Sequence, residues 1–167
     1  GYVPQELGFY DDLRAGEALR FFGRLKGLTT QSSGESLARV GLEGQDRKRI
    51  RELSGGMKQR LALAIAMQGD PPVLVLDEVT ASLDACGRTE FIRLLSRLSN
   101  DGRTMLFASH RIEEVSTLAS RVILLEKGRI QDQCASHELA DRIGSSSILH
   151  LVLQPPVREL AMTALRT

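Results

Sequence analysis

Tryptophan is absent from this 167-residue chain, aromatic residues make up 4% of it, and cysteine occurs twice. Cys86 and Cys134 form no ligand-like pair. Cys134-x-x-His137 would be half a metal site without companions, so it reads as incidental. No apolar run approaches the roughly 18–20 residues of a membrane span, and no signal-peptide pattern is present. Any membrane role is therefore expected to pass through a partner. A strong charge of either sign is also lacking: the net charge of +1 excludes an electrostatic commitment to nucleic acid or anionic lipid. The basic cluster Arg47, Lys48, Arg49 and Arg51 carries no interleaved aromatics and reads as a solvated surface. What remains, 42% hydrophobic and 26% charged residues, is the composition of about one ordinary globular domain.

Chemistry is concentrated in a few short stretches. In Leu53-Ser-Gly-Gly-Met-Lys-Gln-Arg60, Ser54, Gly55 and Gly56 stand immediately before a helical pattern that places Leu61, Ile65 and Gln68 on one face. A helix N-terminus offers unpaired N–H groups and the positive end of the macrodipole, and so favours an anion. Glycines allow a close backbone approach, and a serine hydroxyl either caps the helix or bonds a phosphate oxygen. Taken alone, the tripeptide is equally a plain capped helix after a glycine turn.

The second stretch is Val73-Leu-Val-Leu76, an apolar run after Pro71-Pro72 that reads as a parallel-sheet strand buried on both faces. Ligands of open α/β sheets sit beyond the carboxyl ends of the strands, where Asp77 and Glu78 lie. Alternation along a strand sends these carboxylates to opposite sides and suits them to different tasks. One could hold Mg²⁺ among waters and phosphates, and the other could act as a base toward water. Further on, Ser82-Leu-Asp84 precedes a helix with Phe91, Leu94, Leu95 and Leu98 at helical spacing, and Asp84 suits its N-cap. Thr104 to Ala108 reads as another strand, ending at Ser109-His110.

Together with Tyr2-Val-Pro-Gln5, these motifs, in this order, resemble the nucleotide-binding subunit of an ABC transporter over roughly residues 1–133. The resemblance implies an α/β, P-loop NTPase-like fragment with a mainly parallel sheet core and a helical subdomain. Its parts would be a Q-loop strand end (1–9), the helical subdomain (10–52), a core carrying the signature helix, Walker B, D-loop and H-loop (53–133), and a partial C-terminal extension (134–167). It also implies ATP and Mg²⁺ as cofactors, with Gln5 sensing the metal and the attacking water. Ser54, Gly55, Gly56 and Met57 would form the signature motif that binds the γ-phosphate held by the opposite subunit. Asp77 would be the magnesium ligand, Glu78 the catalytic base, Asp84 the D-loop acid and His110 the switch histidine. The implied partners are a transmembrane permease and a second nucleotide-binding subunit, with no nucleic acid. The implied place is the cytoplasmic face of the cell membrane.

Departures from the pattern bear on function. Met57 stands where many members carry Gln, and Val79 where Pro is usual; the second removes a rigid turn residue and leaves both carboxylates in place. The phosphate loop G-x-x-x-x-G-K-S/T occurs nowhere in the chain. In this superfamily that loop cradles the phosphates. The expectation is that the natural protein carries an upstream strand, loop and helix, and that these 167 residues alone do not hydrolyse ATP. DNA-repair and chromosome ATPases of the same superfamily are the alternative, but a compact helical segment without heptads joins Gln5 to Leu53 and favours a transporter. A non-hydrolytic binding module is disfavoured because Glu78 and His110 are retained. Tyr2-Val-Pro-Gln5 and the Phe21-Phe22 helix ending at Leu28 are similar to bacterial export-type and copper-maturation ATPase subunits.

Elsewhere, Ala18, Leu19, Phe22 and Leu25 form an apolar helical stripe. Val122 to Leu125 and Arg129 to Gln131, joined by Lys127-Gly128, read as a hairpin, followed by a helix from Cys134 to Ile143. Gly144 to Ser147 reads as a linker, Ile148 to Leu153 as a strand, and Pro155-Pro156 as the opening of a last helix.

Overall fold

The computed structural model describes residues 1–28, 32–139 and 149–150. Three short strands, β1 (Tyr2–Val3), β2 (Val73–Asp77) and β3 (Thr104–Ala108), form a parallel sheet in the order β1-β2-β3. Val3 pairs with Leu76 and Asp77 with Ala108, so all three strands finish at one edge. A second sheet is antiparallel, with β4 (Arg121–Glu126) between β5 (Arg129–Ala135) and β6 (Leu149–His150). The expected parallel core is present, and the antiparallel sheet is added to it.

Five helices accompany the sheets among the described residues: α1 (Ala15–Leu25), α2 (Ser33–Ala38), α3 (Gly55–Ala66), α4 (Ala85–Asn100) and α5 (Ile112–Leu118). Leu61 and Leu63 of α3, Phe91 and Leu94 of α4, and Val115 of α5 join Leu74, Leu76, Met105 and Phe107 in one core. Each such side chain stabilises the fold by roughly 1.5–3 kcal/mol relative to exposure. β2 was expected to be buried on both faces. Instead Leu74 and Leu76 are buried while Val73, Val75 and Asp77 are half-buried, because a continuous apolar run does not say which face the helices cover.

Residues 10–52 hold α1 and α2 and pack on α3 through polar ties as well as apolar ones. Lys26 Nζ donates to the Ile65 carbonyl at 2.6 Å, at the negative end of α3. Burial lowers the pKa of that ammonium. The buried Gln68 donates from Nε2 to the Leu19 carbonyl at 2.9 Å. The predicted stripe of α1 is present at Ala18, Leu19 and the partly buried Phe22, but Leu25 is 68% exposed. The helix stops at Leu25, and Gly27 (φ +72°) turns the chain away before a further turn could cover that side chain.

The hairpin forms as expected, and Lys127 (φ +49°) with Gly128 (φ +75°) supplies the two left-handed positions of a type I′ turn. The helix expected from Cys134 does not begin there. Cys134 is buried opposite Val122 in the ladder, β5 runs on to Ala135, and a single 3₁₀ turn follows at Ser136–Glu138. Pairing with β4 outweighs a weak local helical pattern. Of the strand expected at 148–153, Leu149–His150 pairs with β4; the expected linker and last helix lie outside the described residues.

Candidate functional site

Parallel pairing of β2 and β3 delivers Asp77-Glu78 and Ser109-His110 side by side at the carboxyl edge of the sheet. Glu78 N–H donates to the Ala108 carbonyl at 3.1 Å, which holds the first turn after β2 against the end of β3. The side chains then meet: His110 Nδ1 lies 2.9 Å from Glu78 Oε2 and 3.0 Å from Oε1. A carboxylate only accepts, so Nδ1 carries the proton in this contact. Glu78 is 16% exposed and His110 60%, so the pair opens outward through the imidazole.

Glu78 departs from the expected strand geometry. β2 ends at Asp77, and Glu78 takes φ +46°, a left-handed conformation costing an L-residue roughly 1–2 kcal/mol. The two carboxylates are therefore separated by this kink rather than by strand alternation. Strain of this kind gathers at working sites, where the surroundings over-determine the backbone. Asp77 stays half-buried in the last strand position. Gln5 is exposed two residues past Val3, and the register places it where β1 leaves the sheet at the level of Asp77 and Glu78.

Ser54, Gly55, Gly56 and Met57 lie elsewhere. Ser54 is the N-cap of α3, its Oγ accepting from Met57 N–H at 3.3 Å, so the capping role predicted for it is realised. With Arg60, Ser82, Leu83, Asp84 and Glu90 these residues line a cleft of about 360 Å³. Asp84 caps α4 by accepting from Gly87 N–H at 2.8 Å and borders the same cleft. Arg60, which the sequence did not single out as a site residue, braces the cleft by donating to Glu90 Oε2 at 2.9 Å and to the Val40 carbonyl at 3.0 Å.

Gly87 of this cleft is required because a Cβ there would meet Asp84 Oδ1 at 2.7 Å, whereas Gly55 and Gly56 have no such internal explanation. A Cβ added at Gly55 would meet nothing within 4 Å, and one at Gly56 only Leu83 Cδ2 at 3.9 Å. Neither residue has a positive φ. Bare backbone here leaves room for something outside the chain, and α3 has no acidic residue in its first turn to oppose an anion. Neither Asp77, Glu78 nor His110 lines this cleft. The predicted residues thus fall into two groups in one chain, and the structure does not bring the groups together.

Three further residues were missed by the sequence reading. Glu114, 3% exposed on α5, accepts from Thr80 Oγ1 at 2.7 and 2.8 Å and from Ser109 Oγ at 2.8 Å. Arg88 Nε and Arg111 Nε each stand 3.7 Å from its Oε1. The available signal was spacing: Glu114 and Leu118 are four apart on the buried side of a short helix, whereas Glu113 faces solvent.

Among the described residues no cluster of three or more His, Cys, Asp or Glu could enclose a metal ion. A Mg²⁺ site does not call for such a cluster, since that ion is held by one or two carboxylates together with water and phosphate oxygens. Asp77 offers one half-buried carboxylate at the last position of β2.

A family model described as ABC transporter matches residues 1–81. The chain is 32% identical over 171 residues to the linearmycin resistance ATP-binding protein LnrL of Bacillus subtilis (strain 168), covering 100% of this chain and 55% of that protein. It is 39% identical over 134 residues to the ABC transporter ATP-binding protein YxlF of the same organism, covering 78% of this chain and 45% of the relative. Against the phospholipid-transporting ATPase ABCA3 of Homo sapiens, identity is 35% over 159 residues, covering 93% of this chain and 9% of that protein. The chain spans about half the length of the bacterial relatives it matches.

Proposed function

Because the chain belongs to the ABC transporter family as an ATP-binding part, we propose that the complete protein binds ATP with Mg²⁺ and hydrolyses it to drive transport through a transmembrane partner. The observation that carries this reading is the Glu78–His110 contact at 2.9 Å, made where two parallel strands end beside Asp77. Asp77 would hold Mg²⁺, which when bound would neutralise charge on the phosphates. Glu78 would accept a proton from water, an effect worth on the order of 10²–10⁴-fold in rate. With Nδ1–H held by Glu78, His110 would donate to a terminal phosphate from Nε2 when both ring nitrogens carry a proton, and Gln5, at the same sheet edge, would face the metal and the membrane partner.

The second group acts on a different nucleotide in this proposal. Ser54, Gly55, Gly56 and Met57 with Asp84 would receive the γ-phosphate of ATP held by a second copy, so that two chains complete each other's sites. The open space at Gly55 and Gly56 supports this reading. Among the described residues no helix is long and apolar enough to cross a membrane; in this proposal the protein sits at the cytoplasmic face beside a separate permease. The transported molecule would be recognised by that partner.

The test is ATP turnover by the complete protein with and without Mg²⁺. Phosphate release is expected to stop when the metal is chelated and to return when Mg²⁺ is restored, whereas residues 1–167 alone, which lack the phosphate loop, are expected to be inactive. Turnover that persists in excess chelator would contradict the proposal.

A further inference from the structure

We propose that Glu114 is a positioning residue that sets the Glu78–His110 pair from beneath, an inference that rests on the function proposed above. Its buried carboxylate reaches both turns carrying that pair. On one side it accepts from the hydroxyl of Thr80, two residues after Glu78. On the other it accepts from Ser109, the residue before His110. Ser109 Oγ also accepts from Arg111 N–H at 3.1 Å, so the residues flanking His110 on both sides are held through one hydroxyl.

Burial makes the arrangement stiff. Thr80, Ser109 and Glu114 are each 3% exposed or less, and a buried carboxylate is tolerated only with its acceptor capacity filled and its charge balanced. The two hydroxyls supply the hydrogen bonds, and the guanidinium groups of Arg88 and Arg111, whose Nε atoms stand 3.7 Å away and make no hydrogen bond themselves, balance the charge. Freeing either hydroxyl would leave a polar group buried without its partner, so the two turns are constrained together. The constraint matters because Glu78 holds a left-handed conformation that its own residue type disfavours. The network also extends toward the other cleft: Arg88 donates from Nη2 to the Leu83 carbonyl at 3.0 Å, next to Asp84.

The experiment uses the complete protein with ¹⁵N-labelled histidine, comparing wild type with Glu114→Gln, Thr80→Val and Thr80→Ser. The imidazole nitrogen shifts of His110 are read under alkaline conditions, and kcat and KM for ATP are measured on the same samples. Thr80→Val keeps the side-chain shape without the hydroxyl, and so decides the matter even if Glu114→Gln does not fold. Wild type and Thr80→Ser are expected to show the Nδ1–H tautomer held by Glu78. Thr80→Val and Glu114→Gln are expected to shift toward Nε2–H and to lose roughly tenfold to 100-fold in kcat, with KM little changed, as a small misplacement of reacting groups does. An unchanged tautomer in Thr80→Val overturns the proposal, whether turnover falls or not. If wild type has no turnover at all, the functional reading fails, and the tautomer comparison still decides whether Glu114 positions the pair.

Discussion

Replacing Glu78 with Gln is expected to lower ATP turnover of the complete protein by about 100-fold or more, with nucleotide affinity and thermal stability nearly unchanged. The carboxamide has the size of the carboxylate and retains one oxygen for His110 Nδ1–H, so the contact at 2.9–3.0 Å survives in form. What is lost is the capacity to accept a proton from water. Both side chains pay the same conformational cost at φ +46°, so the difference in stability should stay within about 0.5 kcal/mol. A fall in kcat therefore cannot be assigned to unfolding. Steady-state phosphate release, a nucleotide-binding titration and a melting curve on the same preparation check the three parts, and wild-type turnover in the variant would remove Glu78 from the role of base.

Gly55→Asp is expected to separate stability from activity in the opposite sense. Gly55 is the first residue of α3, has no positive φ, and would place a Cβ in open space. An acidic residue in the first turn of a helix interacts favourably with the macrodipole, by typically 0.3–1 kcal/mol. The variant should thus melt at or slightly above the wild-type temperature. The same carboxylate would stand where a phosphate is proposed to arrive. Two like charges about 4 Å apart repel by on the order of 4 kcal/mol at an effective dielectric near 20, enough for a loss of 100-fold or more in turnover. A variant that is stable and fully active would show that nothing anionic approaches Gly55.

Short, patterned elements were legible in the sequence, and long-range relations were not. The strands at Val73 and Thr104 and the caps Ser54 and Asp84 follow from local composition, and all appear at those positions. The kink at Glu78 could not be read locally, because it is imposed by the Ala108 carbonyl and the turn that follows. Leu25 satisfied the helical period but lies at the point where α1 ends. Cys134 looked like a helix start and became a ladder residue because β4 is beside it. The role of Glu114 is not legible locally, since its partners Thr80 and Arg88 are far from it in sequence and meet it only in the folded chain.

The central claim is that each chain contributes to two sites and completes neither alone, and a mixed dimer tests it most directly. One copy carries Glu78→Gln and the other Gly55→Asp, the two bearing different affinity tags so that only mixed pairs are purified. If Glu78 of one copy works with Ser54–Gly56 of the other, one site collects both lesions and the second has neither. The account predicts that such mixed dimers hydrolyse ATP while both parent variants remain inactive. Mixed dimers as inactive as their parents would place both groups in the same site and contradict it.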